Sequence, residues 1–171
     1  MRVGYPVGIA AFWFAHPQVK WLIYGVGIAI VGLIIRGYAA GHLRKHQQLA
    51  TSGPYAYTRN PLYLGSVLLA AGFSVASHSW ISTLLLGAYL AIFYPVVIRR
   101  EQTELRGHYG NAFVEYASMV PAFWPRLSPA MSSTEKFSWP LYLKNREYEA
   151  SIGLAVAMAI LLALMLWRGG I

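Results

Sequence analysis

The sequence predicts an all-α integral membrane protein with about five transmembrane helices, and three observations support this fold class. Hydrophobic residues make up 57% of the 171 residues, and charged residues only 12%. Four apolar runs are long enough, or nearly so, to cross a hydrocarbon core that takes about 20 helical residues: 21–35, 62–77, 80–98 and 150–167. The basic residues are unevenly divided between the loops. Because no internal repeat is visible, we expect one membrane domain over residues 1–171.

A fifth apolar run, at residues 3–15, is short for a span. Its 13 residues include Pro6 and would extend about 20 Å as a helix, so it forms either a short first span or half of a helical hairpin. A signal peptide is the competing interpretation. The run lacks a convincing small-residue cleavage site, and His16-Pro17 before the next run favours a tight turn outside the membrane.

The distribution of charge predicts the orientation. With five spans and an inside N-terminus, twelve of the 14 lysines and arginines lie on the inner side, and only Lys20 and Arg168 lie outside. Basic residues are retained in the cytoplasm, so we expect the N-terminus inside and the C-terminus outside a bacterial-type inner membrane. The net charge of +8 then reflects topology and does not indicate nucleic-acid binding. The absence of cysteine excludes disulfides and thiolate metal sites.

Two further patterns have plain structural explanations. His42 and His46 are spaced to share one face of a helix, but no glutamate lies between them and no third ligand is evident, so no metal site is predicted. The glycines at 25, 27 and 32 lie within an apolar span with no strand before them. We expect them to be helix-packing positions and not a dinucleotide-binding loop.

Polar residues converge at the inner ends of the third and fourth spans. Asn60 is a good N-cap and Pro61 suits the first helical position, so a helix with free N–H groups should begin there, beside the cation of Arg59. The two spans form a hairpin that turns at residues 77–79, and the second of them contains Pro95, a predicted kink. It continues as a charged helix over residues 99–106, which brings Glu101 to the same membrane face as Arg59.

The composition of the remaining segments predicts their structural roles. Residues 109–124 are rich in aromatic residues and include proline, which suits a lid better than a span. Residues 127–135 are expected to form a linker, and residues 136–149 to lie along the membrane interface before the last span.

These residues resemble the integral-membrane methyltransferase family of isoprenylcysteine carboxyl methyltransferases and phospholipid methyltransferases. The family pattern is Gly-Pro-Tyr, Arg-His-Pro-x-Tyr-x-Gly, Glu-Glu-x-x-Leu, Phe-Gly-x-x-Tyr-x-x-Tyr and Val-Pro-x-x-x-Pro. The matching segments here keep the order and spacing over about residues 42–126: Gly53-Pro54-Tyr55, Arg59-Asn60-Pro61-Leu62-Tyr63-Leu64-Gly65, Glu101-Gln102-Thr103-Glu104-Leu105, Tyr109-Gly110-Asn111-Ala112-Phe113-Val114-Glu115-Tyr116 and Val120-Pro121-Ala122-Phe123-Trp124-Pro125. The C-terminal helix at about residues 150–167 is additional to this core.

Three departures from the family pattern matter for the chemistry. Asn60 replaces a histidine, Gln102 replaces the second glutamate, and Phe113 replaces a tyrosine. Asn60 can cap a helix and form hydrogen bonds but cannot titrate near neutral pH, which argues against a general base at this position. Gln102 keeps an acceptor but loses a charge, which Glu104 would only partly replace.

The resemblance implies S-adenosylmethionine as the methyl donor, bound on the cytoplasmic side. It implies catalytic roles for Arg59 and Glu101, and a cofactor-binding set of Tyr57, Arg59, Asn60, Pro61, Tyr63, Glu101, Gln102 and Tyr116. Arg59 would hold either the carboxylate of the donor or that of the acceptor.

The acceptor is expected to be lipophilic and to come from the bilayer. The resemblance favours a carboxylate on a prenylated thiol compound, while phospholipid amines, phenols and thiols remain open. A sterol-type membrane reductase that uses NADPH resembles the same core and is the alternative enzyme class. A non-enzymatic membrane scaffold is the third reading, which the joint presence of Arg59, Tyr63, Glu101 and Tyr116 disfavours.

Overall fold

A computed structural model describes residues 4–44, 47–131 and 135–169, and all regular structure in these ranges is helical. His46 lies outside the described residues. The elements in chain order are α1 Gly4–Trp13, α2 Val19–Ala40, a 3₁₀ turn at Gly53–Ala56, α3 Pro61–Ser77, α4 Trp80–Tyr109, α5 Asn111–Met119, α6 Trp139–Lys144 and α7 Tyr148–Trp167. The prediction of an all-α fold is confirmed for this part of the chain.

Three of these helices, α2, α4 and α7, are long and apolar enough to cross a membrane. Helix α3 is apolar but has 17 residues, and α1 has 10. Large apolar side chains on the long helices face outward, among them Ile34, Leu84 and Val156 at 64%, 68% and 54% exposure. Such surfaces are typical of helices that contact lipid tails. The chain is therefore an integral membrane protein, and a count of five spans stays a prediction.

Helix α4 runs without interruption for 30 residues and contains Pro95. The expected charged continuation of the fourth span is confirmed, because the helix includes Glu101 and ends at Tyr109. The turn from α3 to α4 is also where the sequence places it. There His78 has a φ of 46°, and the Ser79 hydroxyl accepts a hydrogen bond from the N–H of Ser82 at 3.3 Å.

The chain divides into two compact units. The first comprises Met1–Leu33, Ser66–Tyr94 and Glu149–Ile171, and the second comprises Ile34–Gly65 and Pro95–Tyr148. Long helices such as α2 and α4 contribute residues to both units. The second unit holds all five of the motif segments that carry the family resemblance.

Close packing of α2 on α3 in the first unit depends on glycine. A Cβ atom added to Gly25 would lie 2.6 Å from the Cβ of Ala76, and one added to Gly72 would lie 2.6 Å from the carbonyl oxygen of Gly25. The prediction of a packing position is thus confirmed for Gly25. It is wrong for Gly27, whose added Cβ would meet nothing within 4 Å, because Gly27 lies on a different face of the same helix.

The second unit has its own small core around α5. Phe113, Tyr116 and Val120 are buried together, and Leu105 of α4 and Leu49 pack against them. The apolar face of α5 is therefore turned inward, and it holds the helix against the end of α4 and the loop that precedes α3.

Candidate functional site

The loop before α3, residues 55–60, is hydrogen-bonded to a segment after α5, residues 121–130, which we call the strip. Three backbone N–H groups make the first set of hydrogen bonds: Arg59 donates to the carbonyl of Pro121 at 2.9 Å, Arg126 to that of Tyr57 at 3.0 Å, and Ala130 to that of Ala56 at 2.9 Å. The strip cannot continue α5, because the prolines at 121 and 125 exclude a regular helix there. Its carbonyl and N–H groups are thus free to pair with the loop.

Three side chains complete this attachment. The hydroxyl of Thr58 donates to the carbonyl of Phe123 at 2.8 Å, the amide of Asn60 to that of Ala122 at 2.7 Å, and the hydroxyl of Tyr116 to that of Tyr55 at 2.8 Å. All four of the residues Tyr55, Thr58, Asn60 and Tyr116 are buried. A buried hydrogen bond is expensive to leave unmade, so these six bonds fix the backbone on both sides of Arg59.

The guanidinium of Arg59 lies over the ring of Phe113, and one of its N–H donors has no hydrogen bond to a described residue. Its Cζ atom is 6.0 Å from the ring centroid of Phe113, and its buried Nε forms no hydrogen bond within the described chain. Burial lowers the pKa of Arg59, which reflects the cost of removing this charge from water. Arg59 as a whole is half-buried, and a bound anion would offset this cost at the accessible side of the guanidinium.

The groups beside Arg59 are neutral. Burial raises the pKa of Tyr116, against the opposing effect of the Arg59 charge, so this phenol stays protonated at physiological pH. No ion pair of Arg59 with a carboxylate occurs among the described residues. We call Tyr55, Arg59, Asn60, Phe113 and Tyr116 the Arg59 site. Its chemistry suits a planar, two-oxygen anion such as a carboxylate, which a guanidinium can hold with paired hydrogen bonds.

Glu101, on α4, influences one residue of the Arg59 site through its charge. Burial raises the pKa of Tyr55 first, and the negative charge of Glu101 raises it further. The Glu101 carboxylate is exposed, and in the described structure it makes no hydrogen bond or ion pair with Arg59. The negative charge of Glu101 therefore reaches the Tyr55 phenol, while its carboxylate is exposed to solvent.

The other predicted site residues vary in burial. Pro61 is buried and opens α3, which confirms the predicted helix start. Tyr57 is 36% exposed, while Tyr63 and Gln102 are half-buried. Glu104, considered as a substitute for the charge missing at Gln102, forms an exposed ion pair with Arg100 at 3.1 Å.

The sequence analysis did not predict an ion pair between Arg36 and Glu147 in the second unit. The Nε atom of Arg36 donates to Oε1 of Glu147 at 2.5 Å, and its Nη2 atom donates to Oε2 at 3.1 Å. The Nη1 atom of Arg36 also donates to the carbonyl of Leu62 at 3.3 Å, next to the start of α3. The sequence did contain a signal for this pair. Arg36 lies near the end of the apolar helix α2 and Glu147 directly precedes the apolar helix α7, and charged residues near membrane spans are usually paired.

Known proteins resemble a large part of the chain, including Arg59 and Glu101 but not Phe113 and Tyr116 in the family match. Residues 3–112 match the phospholipid methyltransferase family. The cobalt-zinc-cadmium resistance protein CzcN of Cupriavidus metallidurans is 42% identical over 105 residues, which are 61% of this chain and 47% of that protein. The nickel-cobalt-cadmium resistance protein NccN of Alcaligenes xylosoxydans is 38% identical over 117 residues, 68% of this chain and 54% of that protein.

A eukaryotic enzyme is also similar. The protein-S-isoprenylcysteine O-methyltransferase of Schizosaccharomyces pombe is 33% identical over 86 residues, 50% of this chain and 36% of that protein. The chain spans about half the length of the two bacterial relatives, or less of the yeast one. No solved structure matches it significantly.

Proposed function

The chain belongs to the phospholipid methyltransferase family, and on this premise we propose that it is an S-adenosylmethionine-dependent methyltransferase. It transfers a methyl group at the membrane interface to a lipophilic acceptor, and a carboxylate on a prenylated thiol compound is the acceptor we favour. The motifs shared with isoprenylcysteine carboxyl methyltransferases support this choice. The names of the two bacterial relatives concern metal resistance and do not specify a reaction.

The unused Nε of Arg59 is the observation that carries the proposal. S-adenosylmethionine has a carboxylate that would satisfy this donor, ribose hydroxyl groups that suit the exposed oxygens of Glu101, and an adenine that suits aromatic packing. The residues proposed to hold it are Tyr57, Arg59, Asn60, Pro61, Tyr63, Glu101, Gln102 and Tyr116. The donor chemistry of the site therefore fits the cofactor that the family resemblance implies.

The proposed reaction needs alignment more than acid–base chemistry. When bound, the sulfonium cofactor supplies an electrophilic methyl group. The protein orients the reactants and excludes water, and the reaction requires no covalent nucleophile. The backbone that carries Arg59 is fixed by six hydrogen bonds, so its position is set before any ligand binds. Arg59 either holds the carboxylate of the donor or presents the carboxylate of the acceptor.

Titration calorimetry on the detergent-purified protein tests the cofactor. We expect S-adenosylmethionine to bind and NADPH not to bind. Glu101→Ala should remove a charge-assisted hydrogen bond of about 1.5–3 kcal/mol, which weakens binding roughly ten- to a hundredfold. Glu115→Ala is the matched control, because Glu115 is an exposed carboxylate on α5 outside the site, and it should leave the affinity unchanged.

The outcomes separate the alternatives. Binding of NADPH instead would assign the chain to the membrane reductases. Binding of neither compound would favour a scaffold without a cofactor. Equal effects of the two glutamate substitutions would mean that Glu101 is only a surface charge.

A further inference from the structure

Tyr55, in the 3₁₀ turn Gly53–Ala56, has a hydroxyl group for which the described residues provide no hydrogen-bond partner. Its backbone is engaged on both sides, because its N–H donates to the carbonyl of Ser52 at 3.1 Å and its carbonyl accepts from the hydroxyl of Tyr116 at 2.8 Å. The residue is buried, with 6% exposure. Tyr55 is not one of the residues proposed to hold the cofactor, so its hydroxyl is a donor without an assigned role.

The backbone that carries this hydroxyl is held in place. The next residue, Ala56, accepts a hydrogen bond from the N–H of Ala130 at 2.9 Å, so the turn is attached to the strip as well as to α5. Buried tyrosines usually pair their hydroxyl groups. The hydroxyl oxygen of Tyr55 is not among the fully enclosed polar atoms of the described chain, so a group from outside can reach it. A fixed and reachable donor of this kind suits a binding site.

The face of α4 that carries Glu101 packs against the same small core. Leu105 lies one turn after Glu101 on this face and contacts the buried cluster that contains Tyr116. Tyr116 in turn donates its hydroxyl to the carbonyl of Tyr55. This packing holds α4 beside the turn, and the charge of Glu101 accordingly reaches the Tyr55 phenol.

The hydroxyl of Tyr55 stays protonated. Burial raises its pKa first, and the negative charge of Glu101 raises it further. Tyr116 and Glu147 act in the same direction, and the guanidinium of Arg36 opposes them. Arg36 and Glu147 are bound to each other, so their effects on Tyr55 partly cancel. The turn therefore offers a neutral donor at physiological pH, next to an exposed carboxylate.

This pair of groups restricts the chemistry of a ligand. An anionic group would be repelled by the charge of Glu101, and an ammonium group would offer no acceptor to the Tyr55 hydroxyl. A hydroxyl group suits both residues, because it can donate to the carboxylate while its oxygen accepts from the phenol. Two adjacent hydroxyl groups suit them better, since one carboxylate has two oxygens that can each accept a hydrogen bond.

We propose that Tyr55 and Glu101 form a subsite for a pair of adjacent hydroxyl groups. The carboxylate of Glu101 accepts from the hydroxyls, and the hydroxyl of Tyr55 donates to one of their oxygens. The inference rests on the proposed function, because the ribose of S-adenosylmethionine carries such a pair. It adds Tyr55 to the residues that bind the cofactor, and it makes Tyr55 a determinant of specificity for a hydroxylated sugar.

Titration calorimetry on the detergent-purified full chain tests the subsite, with S-adenosylmethionine and a dideoxy analogue that lacks both ribose hydroxyls as the probes. Tyr55→Phe removes only the hydroxyl and should weaken binding of S-adenosylmethionine about three- to tenfold, the range for one hydrogen bond between neutral groups. It should not change the affinity for the dideoxy analogue, which offers this hydroxyl no partner. Tyr24→Phe, which removes an exposed hydroxyl from α2 in the first unit, is the matched control and should change neither affinity.

Thermal unfolding distinguishes this role from a structural one. Tyr55→Phe removes a hydroxyl without a hydrogen bond in the described chain, so the unfolding temperature should stay the same or rise. Tyr116→Phe removes a hydroxyl that is bonded to the carbonyl of Tyr55, and should lower the unfolding temperature by about 2–4 °C. A fall of similar size in Tyr55→Phe would mean that its hydroxyl stabilises the fold, and would overturn the inference.

The binding outcomes separate this inference from the proposed function. Failure of the wild type to bind S-adenosylmethionine would overturn the proposed function and the subsite with it. Binding by the wild type with equal affinity in Tyr55→Phe would overturn the subsite alone. Equal losses of affinity for the two probes in Tyr55→Phe would mean an indirect effect on the site, and would also overturn the subsite.

Discussion

Arg59 combines a fixed backbone with an unsatisfied side chain. Its N–H is bonded to Pro121 and its neighbours are tied to the same strip, yet its buried Nε has no partner. Hydrogen-bonded surroundings make such a residue hard to reposition, so its geometry is set by the fold and its remaining bonding capacity is left for a ligand.

Arg59→Lys tests which carboxylate this residue holds. Lysine keeps the charge but loses the planar fork that can bind two oxygens. If Arg59 orients the acceptor, turnover should fall while the affinity for S-adenosylmethionine changes by less than about threefold, which is under half of the 1.4 kcal/mol of a tenfold change. Turnover assays and calorimetry on the same preparation measure both quantities. A large loss of donor affinity would assign Arg59 to the cofactor, and unchanged kinetics would remove it from the site.

The pH dependence of the reaction provides a second test at the residue scale. Burial raises the pKa of Tyr55 and of Tyr116, so both phenols stay neutral as the pH rises through the physiological range, and Asn60 does not titrate. We therefore expect kcat/KM to show no ionisation from these groups between about pH 6 and 9. Asn60→His should introduce an ionisation below the ordinary imidazole pKa of about 6.5, because the position is buried beside the Arg59 cation. A neutral imidazole can still donate to the carbonyl of Ala122. A wild-type profile with a group titrating near neutrality would indicate a general base that we have not identified.

At the scale of elements, the contact between α2 and α3 depends on glycine at one face of α2. Gly25→Ala should lower the unfolding temperature, because the new methyl group would overlap the backbone of α3 at Gly72 and Ala76. Gly27→Ala is a control on the same helix, where nothing lies within 4 Å. It should be neutral or stabilise the helix by up to about 1 kcal/mol. Thermal unfolding in detergent measures both, and equal losses of stability would contradict the packing role of Gly25.

At the scale of the whole molecule, the orientation in the membrane remains a prediction from charge. It places the turn between α1 and α2 outside and α5 inside the cell. The chain contains no cysteine, so Gln18→Cys and Ser118→Cys introduce single exposed thiols without background. An impermeant thiol reagent applied to intact cells should label position 18 and spare position 118. Labelling of position 118 but not of position 18 would show that the topology is the opposite of the predicted one.

The sequence alone determined the long helices and the grouping of the motifs. Apolar runs and the Asn60-Pro61 signal predicted the start of α3, the turn before α4 and the charged end of α4, because these depend on local capping, helix-breaking residues and hydropathy. The resemblance singled out Arg59, Glu101 and Tyr116 because their motifs keep their order and spacing along the chain.

Only the tertiary structure decided which groups have partners. The bonds of Thr58, Asn60 and Tyr116 join residues about 60 positions apart, and the pairing of Arg36 with Glu147 joins residues 111 positions apart. Local patterns place a charge on a helix or loop but do not say what lies opposite it. That depends on how the helices pack, and packing leaves the Nε of Arg59 without a hydrogen bond in the described chain while Arg36 pairs with Glu147.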